Sequence, residues 1–283
     1  MGVKRAVNAA LRRTTGLQLT RAKVLTAPRG TPCTRPGDRL LERPAFILSS
    51  VRSGSTLLRV LLDSHSQLYA PHELHLRDVA VTIRSKPATK SLEELGLDPQ
   101  HLEYLLWDRL LHRELEQRGK RFLVNKTPTD VFVAERIREC WPDARFIFLL
   151  RHPASIARSR GAARPQDSLE QNVATIRRYA DALEHARSTW PGLVVRYEDV
   201  TADPETELRR ICAHLDVAFE SGMLEYDRFD HGRYRVGLGD WTDKIRSGVI
   251  HPAMPAPEEV PAGLRDLCSA WGYDAGPLPA PQR

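Results

Sequence analysis

The first residues whose side chains could take part in binding or catalysis form a short polar loop, Arg-Ser-Gly-Ser-Thr, at positions 52–56. The loop follows an apolar run at 45–50 and precedes a leucine-rich stretch, so the pattern predicts a strand, a tight loop and a helix start. Its polar side chains are those of Arg52, Ser53, Ser55 and Thr56. With the free backbone N–H groups of a helix N-terminus they favour a phosphate or sulfate ligand, which Gly54 would allow close to the backbone.

A second cation, Arg151, ends another apolar run. A Walker-type nucleotide site would need glycine and lysine where this chain has Ser49 and Ser53, and its partner strand typically ends in an aspartate that helps to hold magnesium. Ser159 follows Arg151 by eight residues, in a helix that Pro153 would begin, so both can face the same edge of the sheet. Two separated points with arginines and hydroxyl groups favour a 3′,5′-bisphosphorylated nucleotide bound without a metal.

Proton transfer needs a base, and the segment after the first helix supplies Glu73 with His72 and His75 beside it. Glu73 is our first choice, and His75 is the rival because a histidine pKa near ~6.5 suits general-base work. Lys126 ends the apolar run 121–126 and should point to the same edge of the sheet, where it would stabilise a transferred anionic group. The alternative for Lys126 is an exposed lysine before a turn.

The elements that must position these residues follow from the alternation of apolar runs with helical periodicity, which predicts an α/β fold with a parallel sheet flanked by helices. Strands are predicted at 45–50, 121–126, 145–151 and 193–199. Helix starts are predicted at a capping-box pattern at 91–94, at Asp98-Pro99, at Pro153 and at Asp203-Pro204, and a helix end at Gly119.

The domain assignment is a basic arm, 1–40, followed by one domain, 41–283. The segment at about 77–120 is rich in helical pattern and carries no cofactor motif, so it is assigned as a helical cap on the acceptor side. Its apolar residues should mostly form core, and Trp107 is the candidate to line a pocket for a lipid-like or aromatic acceptor.

Charge is distributed unevenly along the chain. Residues 1–40 hold nine Lys and Arg against one acid, a net charge of +8, so the total of +6 leaves −2 for the remainder. The near-neutral body argues against nucleic-acid binding. The arm is interpreted as a solvated tail, and its segment 3–13 has the pattern of a short amphipathic helix that would suit peripheral contact with a membrane. An organellar transit peptide is less favoured because the arm is poor in serine.

The cellular compartment is indicated by the absence of membrane-spanning runs, a secretory signal and paired cysteines in the sequence. No apolar run approaches the ~18 residues that span a bilayer, and the first residues lack the apolar block of a secretory signal. The four cysteines are widely spaced without a Cys-x-x-Cys pair, which suggests neither a zinc cluster nor a disulfide framework. We therefore predict a cytoplasmic protein without a metal site.

Over about residues 44–250 the chain resembles the sulfotransferases that use 3′-phosphoadenosine 5′-phosphosulfate (PAPS). SVRSGSTLL is similar to the family's 5′-phosphosulfate loop, LLRHPASIARS to its 3′-phosphate motif, VVRYEDV to its adenine-side strand and RVGLGDW to its C-terminal cofactor loop. PHELHL and LVNKTP resemble the base and lysine segments of the bacterial natural-product and carbohydrate branches. The resemblance implies a P-loop-like fold, PAPS as donor and 3′,5′-ADP as product.

The resemblance also implies a role for each matched residue. Residues 52–56 would hold the 5′-phosphosulfate, Arg151 and Ser159 the 3′-phosphate, and Tyr197 would lie against the adenine. Arg235 and Gly237 are the nearest matches in the C-terminal loop, where the chain departs from the family pattern by one residue of spacing and by the lack of a lysine. Glu73 would be the base and Lys126 would orient the substrate or stabilise the sulfuryl group.

Three functions remain open from the sequence. The leading one is metal-independent transfer of a sulfuryl group from PAPS to a hydroxyl of a small-molecule, glycan or carrier-tethered acceptor. The second is a divergent P-loop kinase, which a magnesium requirement would favour. The third is a nucleotide-binding protein without catalysis, against which the acid and lysine at Glu73 and Lys126 argue.

Overall fold

The computed structural model describes residues 37–232 and 243–273. Its elements in chain order are β1 (Ala45–Ser49), α1 (Ser55–Asp63), β2 (Leu68–Tyr69), α2 (Lys86–Glu94), α3 (Pro99–Arg118), β3 (Phe122–Asn125), α4 (Ala134–Cys140), β4 (Arg145–Leu150), α5 (Pro153–Ala163), α6 (Leu169–Thr189), β5 (Gly192–Arg196), α7 (Tyr197–Ala202), α8 (Pro204–His214), α9 (Asp243–Arg246) and α10 (Arg265–Ala270). Two short 3₁₀ helices matter for the site, Leu76–Asp78 and Pro128–Val133.

Within the described residues, five parallel strands form one sheet in the order β2-β3-β1-β4-β5. β1 lies at the centre, and all five of its residues are buried. Burial on both faces is expected of a parallel strand, because the crossover helices cover both sides of the sheet. The predicted α/β class, with a parallel sheet flanked by helices, is confirmed.

Side chains of the central strands alternate between two cores. Phe46 and Leu48 of β1 face one core, which also contains residues of α3, α4 and α6. Ala45 and Ile47 face the other core, which contains residues of α1 and α8. This alternation follows from the period of two along a strand. It fixes α1, and therefore the polar loop that precedes α1, against the opposite side of the sheet from α3 and α6.

Two sequence predictions about element boundaries were wrong. The strand predicted at 193–199 ends at Arg196, and Tyr197 begins α7, whose first turn holds Glu198 and Asp199. Acids in a first turn interact favourably with the helix dipole, which favours a helix start at Tyr197. The pattern at 91–94 lies inside α2 rather than at its start. Ser85 caps that helix by accepting from Ala88 N.

Other predicted boundaries were correct. Asp98 caps α3 by accepting from His101 N, and Gly119 ends that helix in the left-handed conformation at φ 61°. Pro153 and Pro204 each occupy the first turn of a helix. The two-residue strand β2 carries too short a signal to be recognised in the sequence.

The segment assigned as the cap contains the 3₁₀ helix Leu76–Asp78, α2 and α3. No residue of α2 is buried. Trp107 is fully buried and its indole N–H donates to Val79 O at 3.0 Å, so the idea that it lines an acceptor pocket was wrong. The role of the segment at about 77–120 as an acceptor-side cap stays a prediction. No helix among the described residues combines the length and apolar character needed to cross a membrane.

Asp108 of α3 is a buried carboxylate that ties three parts of the chain together. It accepts from Leu40 N at 2.6 Å, from Leu41 N at 3.2 Å and from Trp141 Nε1 at 2.8 Å. The chain is thus attached to α3 at the predicted boundary between arm and domain, a boundary that itself stays a prediction.

Asp108→Ala should lower the free energy of unfolding by about 3 kcal/mol, because it leaves buried N–H donors without an acceptor. Asp143→Ala is the matched control: Asp143 is exposed and pairs with Arg39 of the same segment, so its loss should cost less than about 1 kcal/mol. Urea unfolding followed by circular dichroism measures both. Equal small losses would show that Asp108 is not a structural anchor.

Candidate functional site

The polar loop after β1 has the geometry of an anion site. Arg52 has φ 60° and Gly54 has φ 82°, and Gly54 caps α1 without a side-chain hydrogen bond. Intrahelical bonding to Gly54 O begins with the N–H groups of Leu57 and Leu58, so the earlier N–H groups have no acceptor within the helix. A non-glycine residue at positive φ costs roughly 1 kcal/mol or more, and such strain persists where surrounding contacts hold it.

Arg52 is held by the residues that were predicted to share its ligand. Its Nε donates to Ser159 Oγ at 3.2 Å. Arg151 Nη1 donates to the Arg52 carbonyl oxygen at 2.8 Å. The strand end after β4, the helix α5 and the loop after β1 therefore meet at one place. The structure brings together the two segments that sequence reasoning assigned to separate phosphate groups.

Tyr197 packs directly on this loop. A Cβ atom at Gly54 would lie 2.2 Å from Tyr197 Cδ2, so only glycine allows the ring to approach. Arg151 Cζ lies 4.5 Å from the centroid of the Tyr197 ring, a cation–π contact. The tyrosine thus links the loop to the arginine, although it stands at the start of a helix rather than on the predicted strand.

Lys126 follows β3 and is almost completely buried, with 1% of its side chain exposed. Its ammonium contacts Glu73 Oε1 and lies 3.5 Å from Thr56 Oγ1. The exposed alternative for Lys126 is therefore excluded. The ammonium of Lys126 thus joins Glu73, the predicted base, to the loop at 52–56, although the three segments lie far apart in sequence.

His75 lies beside this pair rather than in it. Its Nε2 is 3.7 Å from Glu73 Oε2, its side chain is 36% exposed and its backbone is left-handed at φ 49°. Thr127 stabilises the same turn, because its Oγ1 accepts from Leu74 N at 3.2 Å. The structure thus places Glu73 in contact with the buried ammonium and His75 on the outer side of Glu73.

Electrostatics around Lys126 are governed by burial. Burial lowers the pKa of Lys126, and the charge and hydrogen bond of Glu73 oppose that shift. Asp130, two residues into the 3₁₀ helix that follows, is completely buried and accepts from Asn125 Nδ2 at 2.7 Å. Burial, assisted by the charge of Glu73, raises the pKa of Asp130 to about 8. A neutral Asp130 avoids a second negative charge behind the Glu73–Lys126 pair.

A cavity of about 880 Å³ runs from the loop at 52–56 to Glu73. The charged side chains among its described lining residues are Arg52, Arg151, Arg158, Arg164, Lys244 and Glu73. The cavity is therefore strongly cationic, with one carboxylate at the end where Lys126 lies behind it. This volume and charge suit a nucleotide that carries several phosphate-type groups.

Sequence reasoning missed several lining residues. Ser155 lies one helical turn before Ser159, so helical periodicity from Pro153 would have found it. Arg158 and Arg164 lie in and after the same helix, whereas Lys244 and His251 carried no motif. Arg235 and Gly237, predicted in the C-terminal cofactor loop, lie outside the described residues.

Comparison with known sequences gives a consistent result. Residues 44–221 match the sequence model described as the sulfotransferase family. The nodulation protein NoeE of Sinorhizobium fredii is 29% identical over 205 residues, which cover 60% of this chain and 49% of NoeE. The omega-hydroxy-beta-dihydromenaquinone-9 sulfotransferase Stf3 of Mycobacterium bovis is 25% identical over 284 residues, which cover 74% of this chain and 73% of Stf3. This chain thus spans about half the length of NoeE.

Comparison with solved structures supports the fold. The sulfotransferase domain of the olefin synthase of Synechococcus PCC 7002 superposes with a TM-score of 0.61 at 25% identity, covering 84% of this chain and 98% of that domain. The sulfotransferase domain from the curacin biosynthetic pathway gives a TM-score of 0.61 at 23% identity, covering 83% of this chain and 99% of that domain. The arrangement is the P-loop-like sheet that the family resemblance implied.

Asp130 should control part of the pH dependence of stability. Its pKa rises from 3.8 to about 8 on folding, so its protonated form stabilises the fold below pH ~4, and that contribution is lost as the pH rises to about 8. Asp130→Asn cannot ionise, and its melting temperature should therefore fall less between pH 5 and pH 8 than that of the wild type. Differential scanning calorimetry measures the difference.

Asp216→Asn is the control for this experiment. Hydrogen bonding to Arg145 lowers the pKa of Asp216, so this exposed acid titrates below the tested range and its loss should leave the difference between pH 5 and pH 8 unchanged. An Asp130→Asn variant whose pH profile matches the wild type would show that Asp130 is already ionised in the folded protein at pH 5.

Proposed function

This chain belongs to the sulfotransferase family, and from that premise we propose that it transfers a sulfuryl group from PAPS to a hydroxyl of a small-molecule, glycan or carrier-tethered acceptor. The observation that carries the proposal is the position of Lys126, whose ammonium contacts Glu73 and lies 3.5 Å from Thr56 Oγ1 of the phosphate loop. A cation between donor loop and base is what group transfer requires, because negative charge develops between the leaving oxygen and the attacking oxygen.

The residues present fit the donor. Ser53 Oγ and Arg151 Nε are buried polar atoms without a hydrogen-bond partner in the described part of the chain, and both belong to the segments assigned to phosphate groups. Buried polar atoms are normally satisfied, so these two favour a bound anion. We assign residues 52–56 to the 5′-phosphosulfate, Arg151 and Ser159 to the 3′-phosphate, and Tyr197 to the adenine. When bound, PAPS would supply the sulfuryl group.

The acceptor side is assigned to Glu73 and Lys126. The carboxylate of Glu73 takes the proton of the acceptor hydroxyl, and the ammonium of Lys126 stabilises the charge that develops as the sulfuryl group moves. Lys126 cannot turn away, because its side chain is buried and held by Glu73. His75 lies on the outer side of Glu73, from which it can orient the carboxylate.

The two other functions are disfavoured by specific residues. A kinase of the P-loop type would use a lysine in the loop and an aspartate at the partner strand end, where this chain has Ser53 and Arg151. A binding protein without catalysis would have no need for a buried Lys126 in contact with Glu73. The name of Stf3 identifies an omega-hydroxy acceptor for that relative, which supports a hydroxyl as the acceptor group here.

Arg151→Ala should weaken binding of 3′,5′-ADP by roughly 10- to 100-fold, because a charge-assisted hydrogen bond to the 3′-phosphate is lost. Binding of 5′-AMP, which lacks that phosphate, should change much less. Isothermal titration calorimetry with both nucleotides tests the assignment. Equal weakening of both would mean that Arg151 acts only through its hydrogen bond to the Arg52 carbonyl.

Glu73→Gln keeps the size of the side chain but cannot take a proton, so kcat should fall by ~10²-fold or more while 3′,5′-ADP binds normally. His75→Asn should reduce kcat far less. Transfer of radiolabelled sulfate from PAPS measures kcat, with and without EDTA, since no step assigned here uses a metal. A dead His75→Asn beside an active Glu73→Gln would make the histidine the base, and a requirement for magnesium would favour the kinase.

A further inference from the structure

A cluster of two arginines and two aromatic rings is formed by the 3₁₀ helices that follow Glu73 and Lys126 and by α6. Arg77 Cζ is 4.9 Å and Arg178 Cζ is 5.1 Å from the centroid of the Phe132 ring. The Tyr179 ring meets Phe132 edge-on, with centroids 4.6 Å apart. We call Arg77, Phe132, Arg178 and Tyr179 the arginine cluster. None of its members lines the cavity assigned to the donor.

Short connections along the chain to Glu73 and to Lys126 position two parts of this cluster. The 3₁₀ helix that carries Arg77 follows Glu73 closely, and the 3₁₀ helix that carries Phe132 follows Lys126. These two helices pack against each other, and α6, which carries Arg178, packs against the second. Burial raises the pKa of Tyr179, Arg178 and Arg77 lower it, and Glu73 raises it, so the Glu73 charge acts within the cluster.

The cluster has an unbalanced positive charge. Arg77 and Arg178 are both exposed, and neither forms an ion pair with a carboxylate of the described residues. Their neighbour Arg177 differs, since its guanidinium pairs with Asp266 at 2.6 Å and with Asp181 at 3.4 Å. Two cations that share one ring repel each other, and an anion between or beside them would offset that repulsion.

The aromatic contacts suit these arginines to recognition. A guanidinium that lies over a ring presents its N–H edge rather than its face, and this edge can donate hydrogen bonds to a carboxylate or phosphate. Arg178 also forms a side-chain hydrogen bond with Tyr179. The rings also restrict the motion of the two side chains, so less conformational entropy is lost on binding. A pair of exposed arginines elsewhere on the surface would lack this ordering.

We propose that the arginine cluster binds an anionic group of the acceptor, so that the sulfated hydroxyl belongs to a molecule that also carries a phosphate or carboxylate. This assignment rests on the proposed function and narrows its acceptor class. The donor cations are occupied by the nucleotide during turnover, and the cluster supplies separate positive charge on the acceptor side of Glu73. A neutral acceptor would leave that charge unused.

Calorimetric titration of three matched ligands tests the proposal on protein saturated with 3′,5′-ADP, in which the donor cations are already occupied. The ligands are ω-hydroxyhexyl phosphate, ω-hydroxyhexanoate and ω-hydroxyhexanamide, which share the chain and hydroxyl and differ in the end group. The two anions should bind at least tenfold more tightly than the amide. The tighter of the two identifies the acceptor's anionic group as phosphate or carboxylate.

Substitutions of the two arginines test whether the anionic ligands bind at the arginine cluster. Arg77→Ala and Arg178→Ala should each weaken binding of the anions by about tenfold and leave the amide unchanged, and Arg77→Lys and Arg178→Lys should restore part of the loss. Arg113→Ala is the matched control, because Arg113 is an exposed arginine of α3 without an ion pair to a described carboxylate. Its binding of all three ligands should equal that of the wild type.

The outcomes separate this proposal from the proposed function. Failure to bind 3′,5′-ADP or to transfer sulfate would overturn the proposed function. In that case, titration of the same variants without nucleotide would still test whether the arginine cluster binds the anionic ligands. Three results would each overturn the arginine cluster as an acceptor site. The wild type could bind the amide as tightly as the anions, or it could bind neither anion detectably. The alanine variants could bind the anions as tightly as the wild type does.

Discussion

The buried ammonium of Lys126 is the interaction on which the arrangement of the site depends. Only 1% of the Lys126 side chain is exposed, and a charge buried to this extent is tolerated only where a partner compensates for the lost hydration. The carboxylate of Glu73 is that partner. The pairing draws the segment after β2 over the end of β3, and the 3.5 Å approach to Thr56 ties both to the loop after β1. Removing either partner leaves an uncompensated buried charge.

The parallel sheet places these groups at one edge. The loop with Arg52 follows β1, Glu73 follows β2, Lys126 follows β3, Arg151 follows β4 and Tyr197 follows β5. In a parallel sheet all carboxyl ends lie on the same side, where open α/β proteins bind their ligands. Every strand described here therefore contributes a candidate residue, and none of these residues needs a long connection to reach the site.

The loop at 52–56 shows how neighbouring segments hold a strained conformation. Arg52 at φ 60° is stabilised by the bond from Arg151 to its carbonyl oxygen and by the bond from its own Nε to Ser159. Gly54 is required because the Tyr197 ring occupies the space of a side chain. The same contacts that hold the loop also bring Arg52 and Arg151 together, so the local geometry and the concentration of positive charge have one cause.

The sequence alone determined the α/β class, the strand at 45–50, the helix starts at Asp98 and Pro153, and the motifs that name the family. These features depend on local patterns of apolar residues, caps and turn residues, which act within a few positions. Tertiary structure decided that Lys126 is buried on Glu73, that Trp107 is core, and that Tyr197 begins a helix and covers Gly54. It also brought Arg77 and Arg178 to one ring. The helix start at Tyr197 is favoured by local acidic residues, whereas the other features depend on contacts between distant segments. The sequence predicted that Glu73 and Lys126 lie at one edge of the sheet, but it carries no signal for which distant side chains bury one another.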